Sequence, residues 1–531
     1  MLNKIKRALR IGKIDARQGN TIVINSEKLE RRVALLEDGI LEEYEVEREG
    51  DVNIVGSVFK GRIKNIEPGL KAMFVDIGMD KNAFLHFWDA IPAALDNSLE
   101  EIHRQGRPKK KKARPKKITS QEIPRLYPVG SEIVIQVSKG PIGNKGPRVT
   151  TNVSLPGRYL VLTPFSDQFG ISRKIEDPEE RTRLRRIMQR MAVPEGMGII
   201  MRTVATGKRA RHFVRDLAML LEQWDEVEEI RDNHPAPVCI FQEPDLIERT
   251  ARDFLAEEID QVLCDDPETM EEIKVIAEKI SRRAKRRVHH LQTQEPIFEQ
   301  LGVQKQIDEA FLRQVWLPCG GYIVIDETEA LISIDVNTGR NRGSRDVDKM
   351  ITETNVEAAC ETARQLRLRN IGGLVVVDFI DMRHRRDQQA VYRAMKERLR
   401  RDRAKTQVLQ ISAVGLMEMT RQRLGESLRD TLLEPCSYCA GRGKVKTVMT
   451  MSVEIQRVLN SVIGKHRDEV GDVIVVVNPD VLNRFKSEDA NILMDLERSH
   501  TGRLIFRGDP SLHRERYGII DAQTEKHLAQ G

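Results

Sequence analysis

A chain of 531 residues, 40% hydrophobic and 32% charged, has room for several domains of roughly 100–200 residues with real apolar cores. That balance excludes a disordered protein, and no apolar run is long enough to span a bilayer. The net charge is only +6, but basic residues come in blocks, which points to a polyanionic partner.

Residues 1–10 are basic, with Leu2, Ile5 and Leu9 near one side of a short helix, and no signal-peptide core follows. A solvated tail is favoured there over contact with an anionic membrane. Residues 20–155 read as mostly β, with apolar/polar alternation at 32–36, 58–66, 72–77 and 132–137. Short strands with glycine-bearing turns predict a small barrel. A polar, almost wholly positive insertion, HRQGRPKKKKARPKK at 103–117, predicts a disordered loop. Its lysines at 109–117 suit either nonspecific phosphate contacts or plain solvation.

From 156 to 300 the pattern is mixed: strands at 159–163, 198–203 and 237–242, helices near 178–192 and 209–232, then helices over roughly 244–285. Residues 316–412 are plainly α/β. GGYIVID and ALISIDVN predict adjacent strands, with Glu327 and Thr328 near the turn. A helix over 345–369, the strand GGLVVVDFI, a helix over 384–404 and the strand VLQIS follow. EPCSYCAGRG at 434–443 precedes a final helix–strand–helix piece built on VIVVV.

Asp335 and Asp378 each end a strand, and Asn337 falls on the same side as Asp335. Strand ends are where α/β folds place their chemistry. Two carboxylates with an amide oxygen make a hard-oxygen set that suits Mg2+, a phosphate and an activated water. The alternative is that they merely cap turns, which is uncomfortable because Asp378 and Asp381 abut a five-residue apolar run expected to be buried, and unpaired buried carboxylates are costly. Asp381 and Asp326 are weaker candidates.

Cys239, Cys264, Cys319 and Cys360 are scattered and read as small buried hydrophobes in a reducing cytosol. Cys436 and Cys439 form a CxxC followed by Gly441 and Gly443, and no second CxxC, CxxH or HxxxH exists. A structural zinc needs four ligands, so the chain supplies half a site. Redox activity, chance, or one zinc shared by two copies all remain open.

Phe74 and Phe84 lie on the expected barrel amid Lys60, Arg62, Lys64 and Lys71, a stacking-plus-charge recipe for single strands that core packing alone also explains. GNKG around Lys145 lacks the spacing of a P-loop. Arg202 and Thr203 end an apolar strand and together make a good phosphate clamp.

GGYIVIDETEALISIDVNTGR and ARQLRLRNIGGLVVVDFIDM are similar, nearly residue for residue, to the catalytic region of the bacterial ribonuclease E/G family. GLKAMFVDIGMDKNAFL resembles that family's S1-type OB-fold, and EPCSYCAGRG resembles its zinc-link. The resemblance runs from about residue 31 to 525. It implies Asp335 and Asp378 as Mg2+ ligands with Asn337 supporting, and Cys436 and Cys439 giving half of a Zn2+ site shared between subunits of a homodimer or dimer of dimers. It implies RNA contacts at Phe74, Phe84 and Lys145. It implies 5′-monophosphate sensing by Gly157, Val161, Arg173, Arg202 and Thr203, with Lys405 where ribonuclease E carries arginine. Lysine there gives a point charge in place of a bidentate fork and looks more like the ribonuclease G branch.

The implied fold is an N-terminal extension (1–30), a discontinuous RNase H-like domain (31–52 and 246–310), an S1-type OB-fold (53–152), a 5′-sensor domain (153–245), a DNase I-like α/β catalytic domain (311–433), a zinc-link (434–445) and a small C-terminal α/β domain (446–531). The implied activity is Mg2+-dependent endonucleolytic hydrolysis of single-stranded RNA in rRNA processing and mRNA decay, in the cytoplasm. As a departure from ribonuclease E, no degradosome scaffold is expected, and the apolar runs predict no transmembrane segment. A non-catalytic RNA-binding protein is the alternative, and a zinc-dependent redox or chaperone protein would rest on the CxxC alone.

Overall fold

Alternating apolar residues build the first sheet of the computed structural model. It describes residues 18–531 apart from 51–53, 92–98, 102–121, 142–144, 176, 255–258, 281, 293, 341–345, 423–424, 466–470 and 499. The insertion 103–117 and residues 1–17 therefore lie outside the described residues. The chain divides into two units, Met1–Thr431 and Leu432–Gly531. No helix among the described residues is long and apolar enough to cross a membrane.

In the first unit, strands Asn20–Ser26, Glu30–Glu37 and Ile40–Arg48 form an antiparallel meander. Gln261–Cys264 and Val288–His290 add in parallel beside the first of them. Two expectations change here. Residues 20–26 are not an additional segment: they form the middle strand of this sheet, with Ile22, Val23 and Ile24 buried. The expected helical run over 244–285 is interrupted by the strand Gln261–Cys264, a buried four-residue run too short for periodicity to separate strand from helix.

Strands Val58–Glu67, Ala72–Asp76, Ala83–His86, Arg148–Thr150 and Glu132–Lys139 close into a small OB-fold-like barrel, because the first also pairs with the last. Val238–Phe241 extends this barrel sheet, although the sequence reading places it in the next domain. Leu99–Glu101 leaves it to pair with Phe169–Ser172 in a third sheet. That sheet also holds Leu155–Pro156, Leu160–Thr163 and Gly198–Met201. Helices Pro178–Arg190 and Ala210–Asn233 contribute Leu184, Met188, Phe213 and Trp224 to its core.

The fourth sheet has the order Gln314–Trp316, Tyr322–Glu327, Leu331–Asn337, Gly373–Asp378, Leu416–Arg421, Thr406–Val408. Only the central pair, Leu331–Asn337 with Gly373–Asp378, is parallel, joined through helix Val347–Leu368. Ile323, Ile325, Ile332, Ile334, Val375 and Val377 face this helix and Arg385–Leu399 in one core. The opposite face carries the polar residues. GGLVVVDFI is thus half-buried and not the all-apolar buried strand that the sequence suggests, since Gly373, Leu374 and Asp378 are exposed.

Glu42 of the meander strand Ile40–Arg48 joins that sheet's layer to the helices of the fourth. It is 1% exposed and pairs with Arg367, and with Arg398 at 2.6 Å, while Arg364 donates to the Leu41 carbonyl at 2.7 Å. Burial pushes its carboxyl up against the pull of the guanidiniums.

The second unit contains helix Val448–Lys465 and a four-stranded sheet ordered Leu504–Gly508, Val473–Val477, Tyr517–Asp521, His527–Gln530. The expected helix–strand–helix is incomplete. The later strands are short and two of them are half-exposed, so their apolar pattern is weak beside VIVVV.

Removing one partner of a buried ion pair leaves the other uncompensated, at about 3–5 kcal/mol. Glu42→Ala is therefore expected to destabilise the first unit by about that amount in urea unfolding, whereas an unchanged midpoint would show that the interlayer tie is slack.

Candidate functional site

Asp335 and Asp378 are direct register partners in the parallel pair, on strands about 4.8 Å apart. Both are exposed on the face away from the helices. The expectation that a buried environment makes Asp378 and Asp381 costly is corrected: both are exposed, and strand alternation turns Asp378 to solvent. Asn337, two residues on, donates from Nδ2 to Asp335 Oδ2 at 2.7 Å and so fixes that carboxylate. The exit of the Asp378 strand is held by the buried Asn355 of the crossover helix, which donates to the Ile380 carbonyl at 2.8 Å and accepts from its N–H at 3.1 Å. Asp381 is exposed just beyond. Asp326 is engaged by the Arg313 guanidinium, whose hydrogen bonds hold its carboxyl below the usual range.

Arg202 and Thr203 follow the strand Gly198–Met201. The Arg202 N–H donates to the Tyr159 carbonyl at 2.9 Å and its Nη1 to the Gly157 carbonyl at 2.6 Å, while Thr203 is exposed. Val161 pairs with Ile200 on the neighbouring strand. Beneath the loop, Asp216 accepts the backbone N–H groups of Arg158, Tyr159 and Leu160 at 3.1, 2.8 and 2.9 Å. Burial raises its carboxyl, and those three donors pull it back. A Cβ at Gly157 would lie 2.8 Å from Leu220 Cδ1 and 2.9 Å from the Asp216 carboxylate, so a larger residue there would push aside the carboxylate that holds the loop. Arg173 is exposed on the turn after Phe169–Ser172. Its neighbour Lys174 donates to the carbonyls of Asp402 and Ala404 at 2.9 and 3.2 Å, which brings Arg173 and Lys405 to one seam.

Phe74 and Phe84 are cross-strand partners, half-buried, with ring centroids 5.9 Å apart in an edge-on pair. Lys145 is exposed. Lys60 is occupied structurally, donating to the carbonyls of Arg231 and His234 and pairing with Glu132. Lys64 pairs with Asp76.

Cys436 is exposed, and the backbone N–H groups of Cys439 and Tyr438, with the Cys439 thiol, hold its thiol below the ordinary range. Gly443 N–H donates to Cys439 Sγ at 3.3 Å, and Gly441 and Gly443 both adopt positive φ to close the turn. The knuckle is anchored by His513, whose ring bonds the Tyr438 carbonyl at 2.6 Å. Among the described residues no group of three or more His, Cys, Asp or Glu side chains could hold a metal. Of the scattered cysteines only Cys264 is fully buried, and Cys239 is exposed on the strand Val238–Phe241, against expectation.

Sequence reading misses Asn355, Asp216 and Lys174. Asn355 leaves a signal, a polar residue at a core-facing helical position, whereas Asp216 and Lys174 look like ordinary surface charges.

The model of the ribonuclease E/G family matches residues 154–424. Over 499 residues the chain is 36% identical to ribonuclease G of Escherichia coli K12, covering 94% of this chain and 99% of that protein. It is 34% identical over 500 residues to ribonuclease G of Haemophilus influenzae, with the same coverage of 94% and 99%. Against ribonuclease E of Haemophilus influenzae it is 36% identical over 501 residues, which is 94% of this chain and 52% of that protein.

Asp216→Ala would strip three N–H groups of their acceptor. Amide exchange at Tyr159 and Leu160 is expected to quicken about 10- to 100-fold. Unaltered protection would mean that Asp216 does not hold the loop.

Proposed function

The chain belongs to the ribonuclease E/G family, and we propose that it is an endoribonuclease that hydrolyses single-stranded RNA at Asp335 and Asp378, in rRNA processing and mRNA decay. The observation that carries this is the in-register pair of exposed carboxylates on neighbouring parallel strands, one of them steadied by Asn337.

Two adjacent carboxylates open to solvent fit Mg2+, which keeps several waters and takes a substrate phosphate. When bound there, the ion supplies Lewis-acid polarisation of the phosphodiester and a water of lowered pKa. The chain's own part is to hold both carboxylates rigidly. Asn337 fixes the rotamer of Asp335, and Asn355 fixes the backbone after Asp378.

Substrate capture falls to the barrel, where Phe74 and Phe84 offer stacking surfaces and Lys145 a phosphate contact. Arg202 and Thr203 present a guanidinium and a hydroxyl to a 5′-monophosphate, on a loop shaped by Gly157 and Val161 and braced by Asp216. Arg173, beside Lys174, and Lys405, across the seam that Lys174 ties, add charge. This gives preference for monophosphorylated ends.

In the same reading, Cys436 and Cys439 give half of a Zn2+ site. The N–H groups around the Cys436 sulfur favour its thiolate, and the missing two ligands come from a second copy in a homodimer, alone or within a dimer of dimers. The six-stranded sheet is taken as DNase I-like and the first sheet as RNase H-like, the latter enlarged by Asn20–Ser26. The barrel is taken as S1-type, the third sheet as the 5′-sensor domain, and the second unit as zinc-link plus C-terminal domain.

A 5′-monophosphorylated RNA labelled at its 3′ end is expected to be cut internally only with Mg2+, and Asp378→Asn to lose at least about 1000-fold in kcat. Binding without cutting by the wild type would leave an RNA-binding protein. Arg202→Leu is expected to narrow the gap between 5′-monophosphate and 5′-hydroxyl substrates, and an unchanged ratio would remove Arg202 from sensing. Zinc analysis and sedimentation should give one Zn2+ per two chains, lost with the dimer in Cys436→Ser; a full dimer without zinc would refute the shared site.

A further inference from the structure

The outer face of the six-stranded sheet carries an aromatic group to which neither the resemblance nor the proposed cleavage chemistry gives a role. Trp316, on the edge strand Gln314–Trp316, is 54% exposed. Tyr322 meets it edge-on, with ring centroids 5.3 Å apart and planes at 62°. The guanidinium of Arg340 lies over the indole, 5.5 Å from its centroid. The core of this layer packs on the opposite face, so the indole is turned away from it.

Register places the group beside the carboxylates. Trp316 is opposite Tyr322, and Tyr322 is opposite Asn337, so the three form one row across three strands. The next row on the same face holds Gln314, Val324, Asp335 and Asp378. With strands about 4.8 Å apart and same-face residues about 6.8 Å apart along a strand, the Trp316 position lies about 12 Å from Asp335.

We propose that Trp316, flanked by Tyr322 and Arg340, is a base-stacking platform that seats an unpaired nucleotide of the RNA within a few residues of the phosphate cut at Asp335 and Asp378. A flat exposed indole accepts the π-face of any base, and the adjacent guanidinium suits both the ring and a phosphate. The acid of the same face nearest the edge strand, Asp326, is already neutralised by Arg313, so the platform's charge favours a polyanion. A strand of RNA that reaches the carboxylates crosses this face if it runs toward the edge strand. The platform thus adds a subsite to the cleavage centre and rests on that reading of Asp335 and Asp378.

The test uses the full-length protein and a single-site 5′-monophosphorylated RNA in which each base near the cut is removed in turn. Trp316→Ala is expected to raise KM roughly 5- to 100-fold with little change in kcat, and Trp316→Phe to keep most of the affinity. In the wild type, one abasic position should cost a similar factor, and in Trp316→Ala that position should cost nothing further. Trp88 is also exposed, so a Trp88→Phe background isolates the signal. There, adding RNA without Mg2+ should quench the exposed indole. Identical abasic profiles in wild type and Trp316→Ala, with no quenching, would overturn the platform. So would a change of oligomeric state in Trp316→Ala with an unaltered RNA profile, which assigns the face to a second copy of the chain. Failure of the underlying reading looks different: Asp378→Asn would then cleave as well as wild type, whatever Trp316 does.

Discussion

One parallel pairing governs the arrangement around the carboxylates. Leu331–Asn337 and Gly373–Asp378 are parallel neighbours, so their carboxyl ends lie at the same edge and Asp335 comes level with Asp378. An antiparallel pair would put the two strand ends at opposite edges of the sheet. Parallel pairing demands a crossover, and the chain supplies the helix Val347–Leu368. That helix then does two further things. Its apolar face covers one side of the sheet, which leaves the other open to a ligand. Its buried Asn355 grips the backbone at Ile380, so the crossover that makes the pair also holds its end in place.

Much of this is legible in the chain. LISID and LVVVD announce two strands carrying the aspartates, although the first runs on two residues past Asp335 to Asn337, and the long charged stretch between them announces the crossover. Alternation within each strand then fixes which residues share a face, so Asn337 is expected beside Asp335 and is found bonded to it. That Asp335 meets Asp378 is a different kind of fact. It depends on register between strands, which a short apolar run does not encode.

What the chain hides is tertiary. The strand Asn20–Ser26 looks additional because two of its neighbours, Glu30–Glu37 and Gln261–Cys264, are split by more than about two hundred residues of other structure. Gln261–Cys264 is four residues between helices, with no period to read. Asp216 and Lys174 resemble any surface charge until their partners are seen, since backbone groups of distant loops leave no side-chain signature. The exposure of the two carboxylates is hidden for a related reason. An apolar run such as LVVV predicts a strand, but which of its faces is covered depends on where the helices land.

The two metal-ligand sets of the proposed reading differ in a way that follows from their chemistry. Asp335 and Asp378 offer two hard oxygen ligands on an open face, and an ion that retains waters and binds phosphate needs no more from the protein. Cys436 and Cys439 also offer two ligands, but a structural zinc is closed by four protein ligands and leaves no place for water. The same count of two is therefore sufficient in one place and insufficient in the other. Under the proposed reading, the carboxylates are left incomplete for the substrate and the thiolates for a second copy of the chain, so substrate binding and assembly each finish a site that this chain begins.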